Sequence, residues 1–266
     1  MTVRSMRGRI PRPVLEAVAV VALLTGLLCV AFWRYLLPAD NAGCLFFRCD
    51  YWVQQYPNIL FGRQAVLDGA IPFWEPYSSM GGRPALAEAV RGYLYLPNIL
   101  TFVAGAGLSL EAYQILWILR VLLHMAVGGA GVYALMRRWT MTIPASLLSA
   151  VAFTFAAFQQ SAMHLANFTD GFALLPWVLL LHDRLRARRS AARIGVLAIV
   201  AAQILFASYQ NLYIYAFFMC AAWTIAAATA LPGPVRQRVT AALTEVAVTA
   251  GAFVCGALVA AVQVLP

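Results

Sequence analysis

Half of the ten acidic residues fall in one stretch, 38–92: Asp40, Asp50, Asp68, Glu75 and Glu88. The same stretch carries Tyr51, Trp52, Tyr56, Trp74 and Tyr77. Carboxylates in such surroundings suit two kinds of chemistry. One is a general base that takes the proton of an acceptor hydroxyl. The other is a ligand for a hard divalent cation such as Mg2+ or Mn2+, which in turn holds a phosphate. A solvated linker is the plain alternative, but idle connections are short. Asp40 sits in Pro38-Ala39-Asp40-Asn41, which also reads as an ordinary turn. Cys44 and Cys49 flank the same region. They form a disulfide if the loop faces an oxidising compartment, or stay as partly buried thiols.

A second set of polar residues lies within apolar runs. Arg120 is well inside one of them, where an uncompensated charge costs several kcal/mol or more, on the order of the membrane-insertion scales. It therefore faces a partner or a wet cavity. One reading is a cationic site for a lipid phosphate; the other is a structural pair with Glu245 or with free carbonyls. His124 lies one turn further on the same helix face. Gln160 and His164 share a face near Asp170 and can line one cavity with Asp50. Asn167-Phe168-Thr169 matches a glycosylation sequon but sits too close to an apolar run to serve as one. There is no phosphate-cradling Gly-Lys loop, no His-Glu-x-x-His and no paired CxxC, so ATP hydrolysis and zinc chemistry have no support.

The elements that must position these groups are membrane helices. Hydrophobic residues make up 63% of the chain, charged residues 11%, and the mean hydropathy is +0.78. A soluble fold of this length cannot hide so much apolar surface. Apolar runs at 14–37, 110–136, 143–163, 169–184, 193–209, 212–230 and 239–264 predict about seven spans. The first is long enough for a retained anchor, with a cleaved signal peptide as the rival reading. Residues 93–107 are too short to cross and contain Pro97, which predicts a half-inserted segment with Tyr93 and Tyr95 at the headgroup level. Residues 58–68 predict a short amphipathic helix on the membrane, ended by Gly69. Gly128, Gly129 and Gly131 let the second span approach another helix closely. Cys29, Cys220 and Cys255 read as small core residues.

All nineteen basic residues are arginine, and the net charge is +9. No continuous basic face exists to neutralise phosphates, so a nucleic-acid partner is excluded. Arg4, Arg7, Arg9 and Arg12 precede the first run; Arg137 and Arg138 follow the second; five more lie between 184 and 193; Arg236 and Arg238 follow the sixth. Alternate connections are basic, which places the N-terminus in the cytoplasm and the 38–92 stretch outside. Arg34 and Arg120 fall within spans. The predicted organisation is a basic N-terminus at 1–13, a first transmembrane helix at 14–37, an extracytoplasmic loop at 38–109 and a six-helix region at 110–266. The fold class is an all-α, polytopic helix bundle.

The stretches Asp50-Tyr-Trp-Val-Gln-Gln-Tyr-Pro57, Leu67-Asp-Gly-Ala-Ile-Pro-Phe-Trp-Glu-Pro-Tyr77, Gly81-Gly-Arg-Pro84 and Tyr95-Leu-Pro-Asn-Ile-Leu100 resemble the YfhO-type bacterial membrane proteins, which group with glycosyltransferases of the GT-C fold. Later pieces keep the same order: Leu123-His124, His164 before Leu175-Pro176, Gln210-Asn211-x-Tyr213 and Ala261-Val-Gln-Val-Leu-Pro266. Glu75 stands where the family has Asn, and Glu88-Ala89-Val90 replaces Asn-Pro-Gln. The resemblance implies transfer of a sugar from a polyprenyl phosphate to a lipid, polymer or protein outside a bacterial inner membrane. It implies Asp50, with Asp40 as alternative, as catalytic base or metal-linked residue, and a Cys44–Cys49 bridge would hold Asp50 near the membrane. Gln54, Glu75, Arg120, His124, Gln160, His164 and Asp170 become substrate-binding candidates. The family's proteins continue beyond the position of Pro266, which implies an N-terminal part or a truncated product. The alternative is a non-enzymatic membrane protein, either an inactive assembly partner or a transporter-like bundle. No internal repeat supports a transporter.

Overall fold

The computed structural model describes residues 12–36, 55–76, 82–84, 91–163, 165–207 and 210–264. Helix α1 (Arg12–Ala31) leads into a 3-10 turn at Trp33–Tyr35. Then come α2 (Tyr56–Leu67), a two-strand antiparallel pair of β1 (Trp74–Glu75) and β2 (Arg83–Pro84), and α3 (Leu96–Gly105). The bundle continues with α4 (Leu110–Arg138), α5 (Ile143–Thr154), α6 (Ala157–Ala162), α7 (Ala166–Ala187), α8 (Ala191–Ala207), α9 (Gln210–Thr229), α10 (Val235–Val259) and the short α11 (Ala261–Val264).

Local signals set several boundaries. The Ser109 and Thr142 side chains accept hydrogen bonds from Ala112 N and Ala145 N, capping α4 and α5. Gly69 takes a φ of +63° just past α2, the left-handed conformation that glycine reaches without a Cβ clash.

Five helical stretches are long and apolar enough to cross a membrane: Val14–Ala31, Leu110–Arg138, Ile143–Ser161, Gln210–Thr229 and Val235–Val259. Their outward faces remain apolar, with Leu148, Leu243 and Leu258 each about two-thirds exposed, as lipid-facing residues are. Helix α7 is long enough but carries Asp170, His182, Asp183, Arg184 and Arg186, and α8 is only 17 residues.

Helix α4 is the centre of the bundle and packs on α1, α5 and α7. It approaches them through glycine. A Cβ on Gly128 would meet Ala173 Cα at 3.0 Å, and one on Gly131 would meet Pro176 at 3.0 Å. A Cβ on Gly129 would overlap Thr154 Oγ1 and meet Leu24 Cδ1 at 2.7 Å. The Gly129→Val variant is therefore expected to overpack α1 and α5 at once and lose roughly 1–3 kcal/mol or more. Thermal unfolding in detergent checks this, with the surface-facing Gly195→Val as the control that leaves the melting temperature in place.

Four expectations change. Tyr93 and Tyr95 are 3% and 1% exposed, so they sit in the core rather than at the headgroup level. The third apolar run is not continuous: it breaks at Phe155–Ala156 and resumes as α6. Cys220 is buried and Cys29 half-buried, but Cys255 faces outward on α10. Arg34 lies past the end of α1, exposed, with its guanidinium over the Trp33 ring.

Candidate functional site

Helices α4 and α7 run in the same direction. Arg120 meets Asp170, the Trp177 indole donates to Val127 O at 2.9 Å, and Arg138 Nε donates to Asp183 Oδ2 at 2.8 Å. The bundle thus has two unlike ends. One gathers Arg137, Arg138, Arg184, Arg188, Arg189 and Arg193 at the C-termini of α4 and α7 and the start of α8. The other carries α2, α3 and a buried polar cluster.

Arg120 stands ten residues into α4, about 15 Å along the helix. Its Nη2 donates to Asp170 Oδ2 and to Asn98 Oδ1, so one side chain joins α4, α7 and α3. The guanidinium lies 4.6 Å from the Trp117 ring centroid and 5.8 Å from that of Tyr95, both within cation–π range. Arg120 and Asp170 are 5% and 1% exposed. At that burial the ion pair exists because each charge needs the other.

His124 completes the cluster. Its Nδ1 is 3.1 Å from Arg120 O, and a carbonyl only accepts, so Nδ1 carries the proton. Nε2 then accepts from the Tyr95 hydroxyl at 2.8 Å. Burial first, and then the Asp170 carboxylate, push the Tyr95 hydroxyl above its ordinary range and keep it a donor.

A second layer ties the short helices to the spans. Gln55 Nε2 donates to Asn167 Oδ1 at 3.0 Å, joining the start of α2 to the start of α7. Arg91 Nη1 donates to Asn58 Oδ1 at 2.9 Å and to Glu75 Oε2. Arg63 donates from Nε to Gly105 O at 2.9 Å, satisfying a carbonyl at the C-terminus of α3 where a cation is favoured. The Tyr113 hydroxyl donates to Ile59 O at 3.1 Å. Gly92, at φ +63°, leaves room for Asn98 Nδ2, which donates to Gly92 O at 2.9 Å.

Of the predicted site residues, the structure brings together Arg120, His124 and Asp170. Glu75 is buried in the neighbouring layer against Arg91. Gln160 is only half-buried and makes no hydrogen bond to Asp170; its neighbour Gln159 is the fully buried amide of α6. Asp40, Asp50, Gln54, Cys44, Cys49 and His164 lie outside the described residues. The alternative partner for Arg120, Glu245, is instead paired with Arg189 at the arginine-rich end. The sequon residue Asn167 is 4% exposed and holds Gln55, which excludes glycan attachment there. Asn98, Asn58, Arg91, Arg63 and Tyr95 were missed. Asn98 alone carried a signal, as an amide inside an apolar run.

Some hydrogen-bonding capacity stays open. Arg120 Nε and Nη1, Asp170 Oδ1, Trp117 Nε1 and both polar atoms of Gln159 have no partner among the described residues. Buried groups in that state are rare, and a bound water or ion is one way to satisfy them. Among the described residues no three His, Cys, Asp or Glu side chains gather to hold a metal ion. Asp170 and Glu75 are each committed to an arginine, a donor set that does not suit a divalent cation.

No curated protein and no solved structure matches the chain. A sequence-family model described as "6-pyruvoyl-tetrahydropterin synthase related domain; membrane protein" matches residues 98–260, from α3 to the end of α10. That span is more than half of the chain and includes Asn98, Arg120, His124 and Asp170, so the chain belongs to this family of membrane proteins.

Proposed function

We propose that this chain is the membrane region of a GT-C-like, YfhO-type glycosyltransferase in a bacterial inner membrane, with its N-terminus in the cytoplasm. In this reading α7 and α8 are also crossings, giving about seven spans; at 1.5 Å per residue they reach about 33 and 25 Å. The observation that carries it is the buried cluster of Arg120, Asp170, Asn98 and His124. It lies at the end away from the arginines, beneath the helices that follow the acidic loop.

Two features support the placement. The Gln55–Asn167 hydrogen bond holds the start of α2, five positions on from Asp50 in sequence, against the start of α7. The open Nε and Nη1 of Arg120 supply charged donors for the phosphate of a polyprenyl-phosphate sugar. Asp50 takes the proton of the acceptor hydroxyl, the hydroxyl oxygen bonds to the sugar's anomeric carbon, and the bond from that carbon to the phosphate oxygen breaks. The polyprenyl phosphate leaves with the electron pair. Asp50 would be a ligand of a divalent cation held by the loop, and that cation would help hold the donor phosphate. The acceptor is a lipid, polymer or protein on the outer face.

One observation favours a second reading, a non-enzymatic assembly partner: Arg120 and Asp170 neutralise each other, as a purely structural pair does. Membranes holding the full chain, given radiolabelled lipid-linked sugars extracted from the same cells, separate the two. Transfer of label to an acceptor is the expected result. Label that stays on the donor, as in membranes lacking the chain, contradicts the transferase reading.

A further inference from the structure

The end of the bundle that the transfer chemistry does not use carries a cavity of about 520 Å³ between α4, α7 and α8. Four arginines line it: Arg138, Arg184, Arg188 and Arg193. The rest of the lining is apolar, from Leu181 and Ala187 of α7 and Val196 of α8. The volume falls within the range of small-ligand sites, roughly 300–1,000 Å³.

The four guanidiniums are not equivalent. Arg138 donates to Asp183 Oδ2 at 2.8 Å. Arg193 Nη1 donates to Arg188 O at 3.0 Å and to Arg184 O, which fixes the turn between α7 and α8 and leaves its charge unneutralised. Arg184 and Arg188 have no carboxylate or carbonyl partner among the described residues, and both are exposed. Asp183, the carboxylate that precedes Arg184 in α7, is engaged by Arg138. Glu245 is drawn away by Arg189. The cavity therefore carries an excess of positive charge. Ser190 caps the start of α8, accepting from Arg193 N at 3.3 Å, and the positive end of that helix dipole adds to the field.

The shape then selects the anion. Val196 is 47% exposed and Ile199, three residues along the same face of α8, is 57% exposed. They form an apolar track that runs from the arginines toward the middle of the bundle. A soluble anion has no use for such a track, whereas an acyl chain fills it.

We infer that this cavity is a binding site for an anionic phospholipid, its phosphate held by Arg184 and Arg188 and an acyl chain lying along Val196 and Ile199. Basic pockets between membrane helices take such headgroups, and each arginine near the surface contributes on the order of a fivefold gain in binding. The site ties the C-terminus of α7 to the start of α8, and it stands whether or not the other end transfers a sugar.

Native mass spectrometry of the purified full chain, given equal amounts of phosphatidylglycerol and phosphatidylcholine, tests it. The expected result is selective retention of phosphatidylglycerol. The Arg184→Gln/Arg188→Gln variant loses about tenfold or more of that retention, while phosphatidylcholine binding is unchanged. Both side chains are exposed, so the variant keeps its fold, which its elution volume checks. Arg137→Gln/Arg236→Gln removes the same charge from the same end outside the cavity and is expected to leave retention intact. Equal retention of the two lipids, or an equal loss in the control variant, overturns the site. Inorganic phosphate displacing phosphatidylglycerol at millimolar levels assigns the pocket to a free anion and overturns the lipid.

Discussion

Replacing Asp170 by alanine is expected to destabilise the protein by about 3–5 kcal/mol, the cost of leaving a buried charge unpaired. Arg120 then keeps only Asn98 as a hydrogen-bond acceptor for its Nη2. The loss also frees α7 from α4 and α3, so the short helices loosen with it. The pair itself is dispensable in energetic terms. The double variant Arg120→Met/Asp170→Leu fills the same space without charge and is expected to recover most of the loss. Asp183→Ala gives the internal comparison. Its partner Arg138 is 41% exposed, and such pairs contribute about 0–1 kcal/mol. Unfolding of the three variants in matched micelles checks the ranking. A mild Asp170→Ala, no worse than Asp183→Ala, contradicts the role given to the buried pair.

The Asp50→Asn variant is expected to behave in the opposite way. If Asp50 is the base, sugar transfer falls by about 10²–10⁴-fold, the usual contribution of a positioned base. Because asparagine keeps the shape, the amount of folded protein and its melting temperature stay unchanged. In the proposed reading Asp170 and Asp50 are two carboxylates with separable roles, one holding the bundle together and one acting on the acceptor. Transfer rates and melting curves measured on the same preparations tell them apart. Full transfer by Asp50→Asn removes that residue from the mechanism, and the second reading, an assembly partner, then gains.

Five of the predicted spans were legible because long apolar runs report directly on a helix able to cross a membrane. The predicted run at 110–136 is α4, that at 212–230 is α9, and the short 93–107 segment contains the ten-residue α3. Its exposed Leu96, Leu100 and Val103 face away from the bundle while Asn98 and Phe102 are buried. The partner of Arg120 was not legible. Asp170 and Glu245 are both carboxylates beside apolar runs, and the choice between them follows from the parallel approach of α4 and α7 across Gly128 and Ala173. Tyr93 and Tyr95 misled for a related reason. Amphipathic rings fit an interface or a polar core equally well, and only the position of His124 and Arg91 decides. The break at Phe155–Ala156 has no proline or glycine to announce it. Arg63 falls in the predicted 58–68 helix, and nothing in the sequence announces its hydrogen bond to the end of α3.

Topology is the direct test of the two-ended bundle. Ala70 is exposed past the end of α2, and Ala187 is exposed at the end of α7. Each is changed to cysteine, singly, in a chain whose five native cysteines are replaced. A maleimide that cannot cross membranes is then added to intact cells. Labelling of Ala70→Cys at once, and of Ala187→Cys only after permeabilisation, is the predicted result. Labelling of both from one side contradicts it.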